Sequence, residues 1–185
     1  MPRIDNDLVS LVMTSQMKSG NNYGTGMLIV DPSTNKLLLA RRVDTKELAS
    51  PGGKVELQET PLQGALRETL EESNVIVHKC MIYDYEMHTS PNGKNWVSFM
   101  FITRDFDASN IVNQESEMEP FSWYTVEEAL NSQLFPPTRK SIERAIECGV
   151  LDFKDKNTEN YIPFVNMPNL LTYVQDSECC SYSIV

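Results

Sequence analysis

Apolar and polar positions along this chain follow two rhythms, one strand-like and one helical. Gly26-Met27-Leu28-Ile29-Val30 is a short continuous apolar run and predicts a buried strand. Asp31-Pro32-Ser33-Thr34-Asn35 is a turn cluster. Lys36 to Arg42 predicts a second strand, and the two are expected to pair as a hairpin. Ala49 to Gly53 reads as a loop centred on Pro51-Gly52-Gly53. The rhythm then turns helical over Thr60 to Ser73. Thr60 is a good N-cap, Pro61 suits the first helical position, and Gln63 completes a capping box. Leu62, Ala65, Leu66 and Leu70 recur at helical spacing and are expected to face a core.

Val75 to Val77 and Cys80 to Met87 read as strands, as does Trp96 to Thr103, with a turn at Pro91-Asn92-Gly93 that predicts a long hairpin. Met118 to Tyr124 predicts one more strand and Val126 to Leu130 a short helix. Pro136-Pro137 then precedes a helix over Thr138 to Glu147, which Gly149 closes. This order implies an α+β fold, an α/β/α sandwich with a mixed sheet between helices. The expected organisation is an N-terminal arm over 1–22, in which Val9 to Met13 is a short strand or a packed arm, a domain over 23–150, and a C-terminal extension over 151–185. Tyr161, Phe164, Leu170, Leu171, Tyr173 and Val174 make that extension apolar enough to dock on the domain.

Charge narrows the function. The chain has 185 residues, 26 acidic against 16 basic, for a formal net charge of −10. That argues against coating nucleic acid, which needs basic surface to displace counterions, but leaves room for a small anionic substrate bridged by a metal. No run approaches the ~20 apolar residues of a membrane span, and Met1 to Asp7 do not resemble a signal peptide. Cys80, Cys148, Cys179 and Cys180 lack metal-ligand spacing and are expected to be free thiols. The expectation is a cytoplasmic protein, monomer or homodimer, with no membrane partner.

The chemistry concentrates on the first helix. Glu68, Glu71 and Glu72 stand at i, i+3 and i+4, which puts three carboxylates on one face. Their mutual repulsion calls for compensation, and a divalent cation with oxygen ligands supplies it. Arg67 and Glu59 are positioned to join an ion-pair network. The plain alternative is a solvated acidic face. Against it stands Pro51-Gly52-Gly53 just upstream, a segment whose backbone can come close to a metal or phosphate.

Gly53, Glu59 and then Arg67-Glu68-Thr69-Leu70-Glu71-Glu72-Ser73-Asn74-Val75 resemble the signature of the Nudix hydrolases, G-x5-E-x7-R-E-U-x-E-E-x-G-U, where U is aliphatic. Every charged position is met. Thr69 stands where an aliphatic residue is usual and Asn74 where glycine is usual. The resemblance implies a hydrolase in which water attacks one phosphorus of a pyrophosphate, with Mg²⁺ or Mn²⁺ bound. By that resemblance Glu68, Glu71 and Glu72 hold the metal with the Gly52 carbonyl, Arg67 orients the glutamates, and Glu59 anchors the loop. One carboxylate acts as general base, and which one stays open.

Residues outside the signature bear on substrate. With Trp123 as the register mark, Glu117 best matches the extra metal-binding glutamate of MutT-like members, with Glu115 and Glu119 as competitors. Arg41 and Arg42 resemble an Arg-Arg pair, one of which contacts phosphate in MutT-like members. Strand alternation lets only one face the site, and Arg42 is favoured. Lys54-Val55-Glu56 and Leu134-Phe135-Pro136-Pro137 also resemble MutT-like nucleoside triphosphate pyrophosphatases. The prototype's base-reading asparagine after the two prolines is replaced by Thr138-Arg139, so Arg139 becomes the candidate contact to base or phosphate. Tyr23, Tyr83, Tyr85, Phe99 and Phe101 could stack on a base or simply fill the core, and His78 and His88 receive no role. ADP-ribose, a nucleotide sugar, a dinucleoside polyphosphate or an RNA cap is the alternative substrate. A non-catalytic nucleotide-binding module and a diphosphate isomerase are the alternatives of other classes.

Overall fold

The strand that organises the fold is β1 (Asn22–Ile29), because it is paired along both edges. The computed structural model describes residues 22–89, 92–112, 117–153, 171–176 and 179–184, the last two ranges as backbone only. After β1 come β2 (Leu37–Arg41), β3 (Leu48–Ala49), β4 (Gly52–Lys54) and helix α1 (Pro61–Ser73). Then follow β5 (Ile76–Thr89), β6 (Asn95–Asp107), β7 (Ser122–Tyr124), α2 (Val126–Leu130), α3 (Pro136–Glu147), β8 (Leu171–Asp176) and β9 (Cys179–Ile184).

One mixed sheet runs β4-β1-β6-β5-β8-β9, and a smaller one runs β3-β2-β7. β1 pairs parallel with β6 and antiparallel with β4, while β5 and β6 form the expected antiparallel hairpin. Side chains alternate across the large sheet. Tyr23, Met27 and Ile29 of β1 join Phe99, Phe101 and Ile82 beneath Leu62 and Ala65 of α1. Leu28 and Val30 join Met100, Ile102 and Tyr83 beneath Ile142, Ala145 and Cys148 at the other face, with Val126 and Ala129 of α2. This is the expected sandwich, with α1 on one side and α2 and α3 on the other.

Four sequence expectations change. β1 and β2 do not form a hairpin. They meet only at the bridge Val30–Leu37 and diverge into different sheets, because β6 and β4 take both edges of β1. Gly52 and Gly53 are not loop residues but lie in β4, paired with Gly26 and Thr25. Leu70 is 45% exposed, since the buried stripe of α1 runs through Leu62, Ala65 and Thr69 instead. The strand expected from Met118 contracts to Ser122–Tyr124, and Met118 makes an isolated bridge to Arg42.

The backbone of β8 extends the sheet from Lys79, Cys80 and Met81. The expectations for Val9 to Met13, Pro91, Tyr161, Phe164 and Leu170 lie outside the described residues. Cys80 and Cys148 are buried free thiols, and burial pushes the Cys80 thiol up to about 12. Among the described residues no helix is long and apolar enough to cross a membrane.

Candidate active site

Helix α1 is fixed at both ends by its own sequence. Thr60 Oγ1 accepts from the Gln63 amide at 3.2 Å, and Gln63 Oε1 accepts from the Thr60 amide at 2.8 Å. At the other end Asn74 adopts the left-handed conformation, φ 57°, and its amide donates to the Leu70 carbonyl at 2.9 Å. Its side chain also donates to the Asn110 carbonyl at 2.8 Å. Asn thus does what glycine commonly does at this position. Thr69 is fully buried, and its hydroxyl donates to the Ala65 carbonyl at 2.7 Å, so the polar atom beneath the helix is satisfied.

The rigid helix meets the glycine strand through two glutamates. Glu72 is 8% exposed, and its Oε2 accepts from the Gly52 amide at 2.9 Å. A side chain at Gly52 would run into the backbone of Thr25 and Gly26, so strand pairing leaves no room there. Gly53 serves differently. A Cβ on it would lie 2.5 Å from the Glu68 carboxylate, which occupies the space the missing side chain leaves. Gly53→Ala is therefore expected to fold, to displace Glu68, and to weaken divalent-cation binding. Cation titration of the purified variant checks this, and parent-like affinity would refute it.

Arg67 gathers the remaining carboxylates. Its Nε and Nη2 donate to Glu59 at 2.8 and 3.1 Å, and its Nη1 to Glu68 and Glu71, both at 2.9 Å. Nη2 also donates to the Lys54 carbonyl at 3.0 Å, tying helix to strand. Glu59 in turn accepts from the Glu56 amide at 2.7 Å, which holds the loop before α1. The hydrogen bond that Arg67 donates to Glu59 raises the Arg67 pKa against the opposing effect of burial, and those to Glu71 and Glu68 add to it. For Glu59, burial pushes the pKa up, but hydrogen bonds from Arg67 and the Glu56 amide outweigh it and hold the group below its ordinary value. A carboxylate with a depressed folded pKa contributes stability above its unfolded value of about 4.3, and that contribution is lost as pH falls through the folded value. Glu59→Gln is thus expected to be less stable than the parent at pH 7, with the gap closing below pH ~4. Urea unfolding at both pH values tests this; a pH-independent gap would count against it.

Glu68, Glu71 and Glu72 share the helix face as expected, but they are held by Arg67 and Gly52. Among the described residues no group of three or more carboxylate, imidazole or thiol side chains is gathered into a ready cation cage. The donor set is nonetheless all oxygen, which fits a hard divalent cation, and Gly53 provides a cradle in which Glu68 lies.

The residues outside α1 separate clearly. Arg42 is 26% exposed at its side chain, holds Asp44 at 2.9 Å, and lies over the Phe135 ring at 4.9 Å. The Asp44 hydrogen bond chiefly raises its pKa against burial, and it also feels the charges of Asp44, Glu117 and Glu72. Arg42 therefore lies within electrostatic reach of both Glu72 and Glu117. Arg41 turns away and donates to the Lys46 carbonyl at 3.0 Å. Glu119 is engaged by Lys46 at 2.9 Å, and Glu115 lies outside the described residues. Arg139 donates to the Leu130 and Ser132 carbonyls at 3.2 and 3.1 Å, so its guanidinium closes the α2–α3 connection.

Among the aromatic candidates, Tyr23, Tyr83, Phe99 and Phe101 are core, and only Tyr85 is exposed. Tyr83 donates to the Ser141 carbonyl of α3. His78 is an exposed strand residue, and the Nδ1 of His88 is buried without a partner. Two features escaped the sequence reading. The Ser50 amide donates to Thr138 Oγ1 at 3.1 Å, joining the segment before the glycines to α3. Gly24 and Gly26 bare the α3-facing side of β1, and Trp96 borders Gly24 there. Across that face β5 meets α3 through Glu86–Lys140 and Asp84–Arg144 ion pairs.

Comparison with known proteins adds to this geometry. A family model described as the NUDIX domain matches residues 20–145. An 8-oxo-dGTP diphosphatase of Proteus vulgaris is 42% identical over 53 residues, 29% of this chain and 47% of that protein. The match thus spans about half the length of that curated relative. A MutT NUDIX hydrolase from Burkholderia pseudomallei has a similar structure, with TM-score 0.59 and 24% identity over 67% of this chain and 97% of its own. A MutT protein from Methanosarcina mazei gives TM-score 0.59 at 22% identity over 71% and 97%, and a C. elegans Ap4A hydrolase 0.53 at 19% over 67% and 96%. At these identities the structural likenesses speak for the fold.

Proposed function

The chain belongs to the NUDIX domain family, and from that premise we propose that it hydrolyses a nucleoside triphosphate to the monophosphate and pyrophosphate. The observation that carries the reading is the joint placement of Glu72 on the Gly52 amide, Glu68 over Gly53, and Arg67 across Glu59, Glu68 and Glu71. In this reading Glu68, Glu71 and Glu72, with the Gly52 carbonyl and Glu117, would hold Mg²⁺ or Mn²⁺. Bound there, such a cation neutralises pyrophosphate oxygens and lowers the pKa of water.

The chain's own groups do the rest. Arg67 restrains carboxylates that would otherwise repel one another. The Gly52 amide fixes one oxygen of Glu72 against the glycine strand, which sets the direction of its carboxylate. Arg42, close enough to Glu72 and Glu117 to feel both charges, offers a cation to a phosphate oxygen. Arg41 and Arg139, each engaged with backbone carbonyls, supply no such contact in this arrangement. The short match to the Proteus diphosphatase supports a nucleoside triphosphate over the other pyrophosphates.

The test is a substrate panel with Mg²⁺ or Mn²⁺ and an EDTA control, with products identified. Ordinary and oxidised nucleoside triphosphates, ADP-ribose, dinucleoside polyphosphates and capped RNA belong on it. Cation-dependent release of a nucleoside monophosphate and pyrophosphate from a triphosphate is the expected result. Faster turnover of ADP-ribose or a dinucleoside polyphosphate would overturn the substrate, and no turnover of any would overturn the enzyme.

A further inference from the structure

Thr25 carries a buried hydroxyl for which the fold supplies no use. The residue is 7% exposed, and its Oγ1 makes no hydrogen bond. A buried hydroxyl in that state is a cost that the strand would avoid with valine. Its surroundings point to a use. Thr25 stands directly opposite Gly53 in the β1–β4 pair, and opposed side-chain positions lie about 4.5–5.5 Å apart. At Gly53 that position is filled by the Glu68 carboxylate, 2.5 Å from where a Cβ would sit. Thr25 is also against α1, since a Cβ on Gly64 would touch its Cγ2 at 3.4 Å. Thr25 thus lies beneath the helix, directly across the strand pair from the space that the Glu68 carboxylate fills, and that carboxylate is held by Arg67.

We propose that Thr25 is a positioning residue for Glu68: when the carboxylate turns from Arg67 to a divalent cation, the Thr25 hydroxyl donates to it and fixes its orientation over Gly53. This rests on the reading of Glu68 as a cation ligand. The physical basis is general. A ligating carboxylate has more acceptor positions than the cation uses, and a hydrogen bond from behind sets its direction and tightens the site. Thr25 Oγ1 has no partner in the structure, and a Glu68 carboxylate oriented toward a cation would give it one.

The test is Mn²⁺ titration without substrate, read by the electron paramagnetic resonance signal of free Mn²⁺, on the full chain. The variants are Thr25→Val, Thr25→Ser, Glu68→Gln and the Thr25→Val/Glu68→Gln double. Thr25→Val keeps the shape and deletes the hydroxyl. It is expected to bind Mn²⁺ about 10- to 100-fold more weakly while its cation-free unfolding midpoint does not fall. Thr25→Ser should bind close to the parent, and the double variant no more weakly than Glu68→Gln alone. Parent-like affinity in Thr25→Val, with Glu68→Gln weakened, would overturn the role of Thr25 and leave Glu68 as a ligand. So would equal losses in Val and Ser, or an additive loss in the double variant. Parent-like affinity in Glu68→Gln would instead remove the ligand role of Glu68 and this inference with it.

Discussion

Glu72→Gln is expected to lose turnover by about 10²–10⁴-fold, the range seen when a positioned proton-transfer group is removed, while the fold stays intact. Glu72 is the most enclosed of the three helix glutamates at 8% exposure, and its contact to the Gly52 amide needs only an oxygen acceptor. The glutamine amide oxygen supplies that, so the helix–strand contact survives. What disappears is the negative charge, and with it the cation ligand proposed at this position and one of the three candidate general bases. The substitution thereby separates structural from chemical need at one residue. The measurement is turnover on the best substrate of the panel, beside a thermal unfolding curve. A near-parent rate with an unchanged metal requirement would falsify the assignment.

Arg67→Ala is expected to have the largest effect on stability. Its guanidinium meets three carboxylates and one backbone carbonyl. Removing one partner of a fully buried ion pair costs about 3–5 kcal/mol. The Arg67 side chain is 24% exposed, so solvent screening reduces this to about 2–4 kcal/mol. For a chain of this size that is a fall of roughly 5–15 °C in Tm. Millimolar Mg²⁺ should restore part of the loss, because the cation answers the repulsion that Arg67 had balanced. Arg67→Lys should fall between the two, since an ammonium cannot span three carboxylates in one plane. A Tm indistinguishable from the parent would show the network to be ornamental.

The parts legible in the sequence are those decided by neighbours in the chain. Thr60, Pro61 and Gln63 announce the start of α1 because capping is local, and the β5–β6 hairpin declares itself through its turn. The three carboxylates share a face because helical spacing requires it. What distant partners decide was not legible. β1 and β2 are adjacent in sequence and look like a hairpin, yet β6 competes for β1 and wins. Nothing in two consecutive glycines proposes a strand, and β4 exists because β1 offers an edge. Arg139 reads as a free cation until the α2–α3 carbonyls are in place to take it. Thr25 is hidden for the opposite reason: a β-branched residue in an apolar strand looks ordinary, and only the burial of its oxygen sets it apart.

The parallel register of β1 on β6, from Asn22 against Trp96 to Ile29 against Thr103, also sets an order of events in time. Those partners are about 70 residues apart, so joining them closes a long loop before any contact rewards it. The β5–β6 hairpin closes over a short turn and is free to form early. β1 gains most of its pairing only from β6, and the three-residue glycine strand leans on a β1 seated in that way. The cradle for Glu68 is therefore among the last pieces of the molecule to be made. In refolding experiments, cation affinity should appear in the slow phase, after most hairpin and helix signal has returned. A nascent chain would gain it only once β6 had cleared the ribosome.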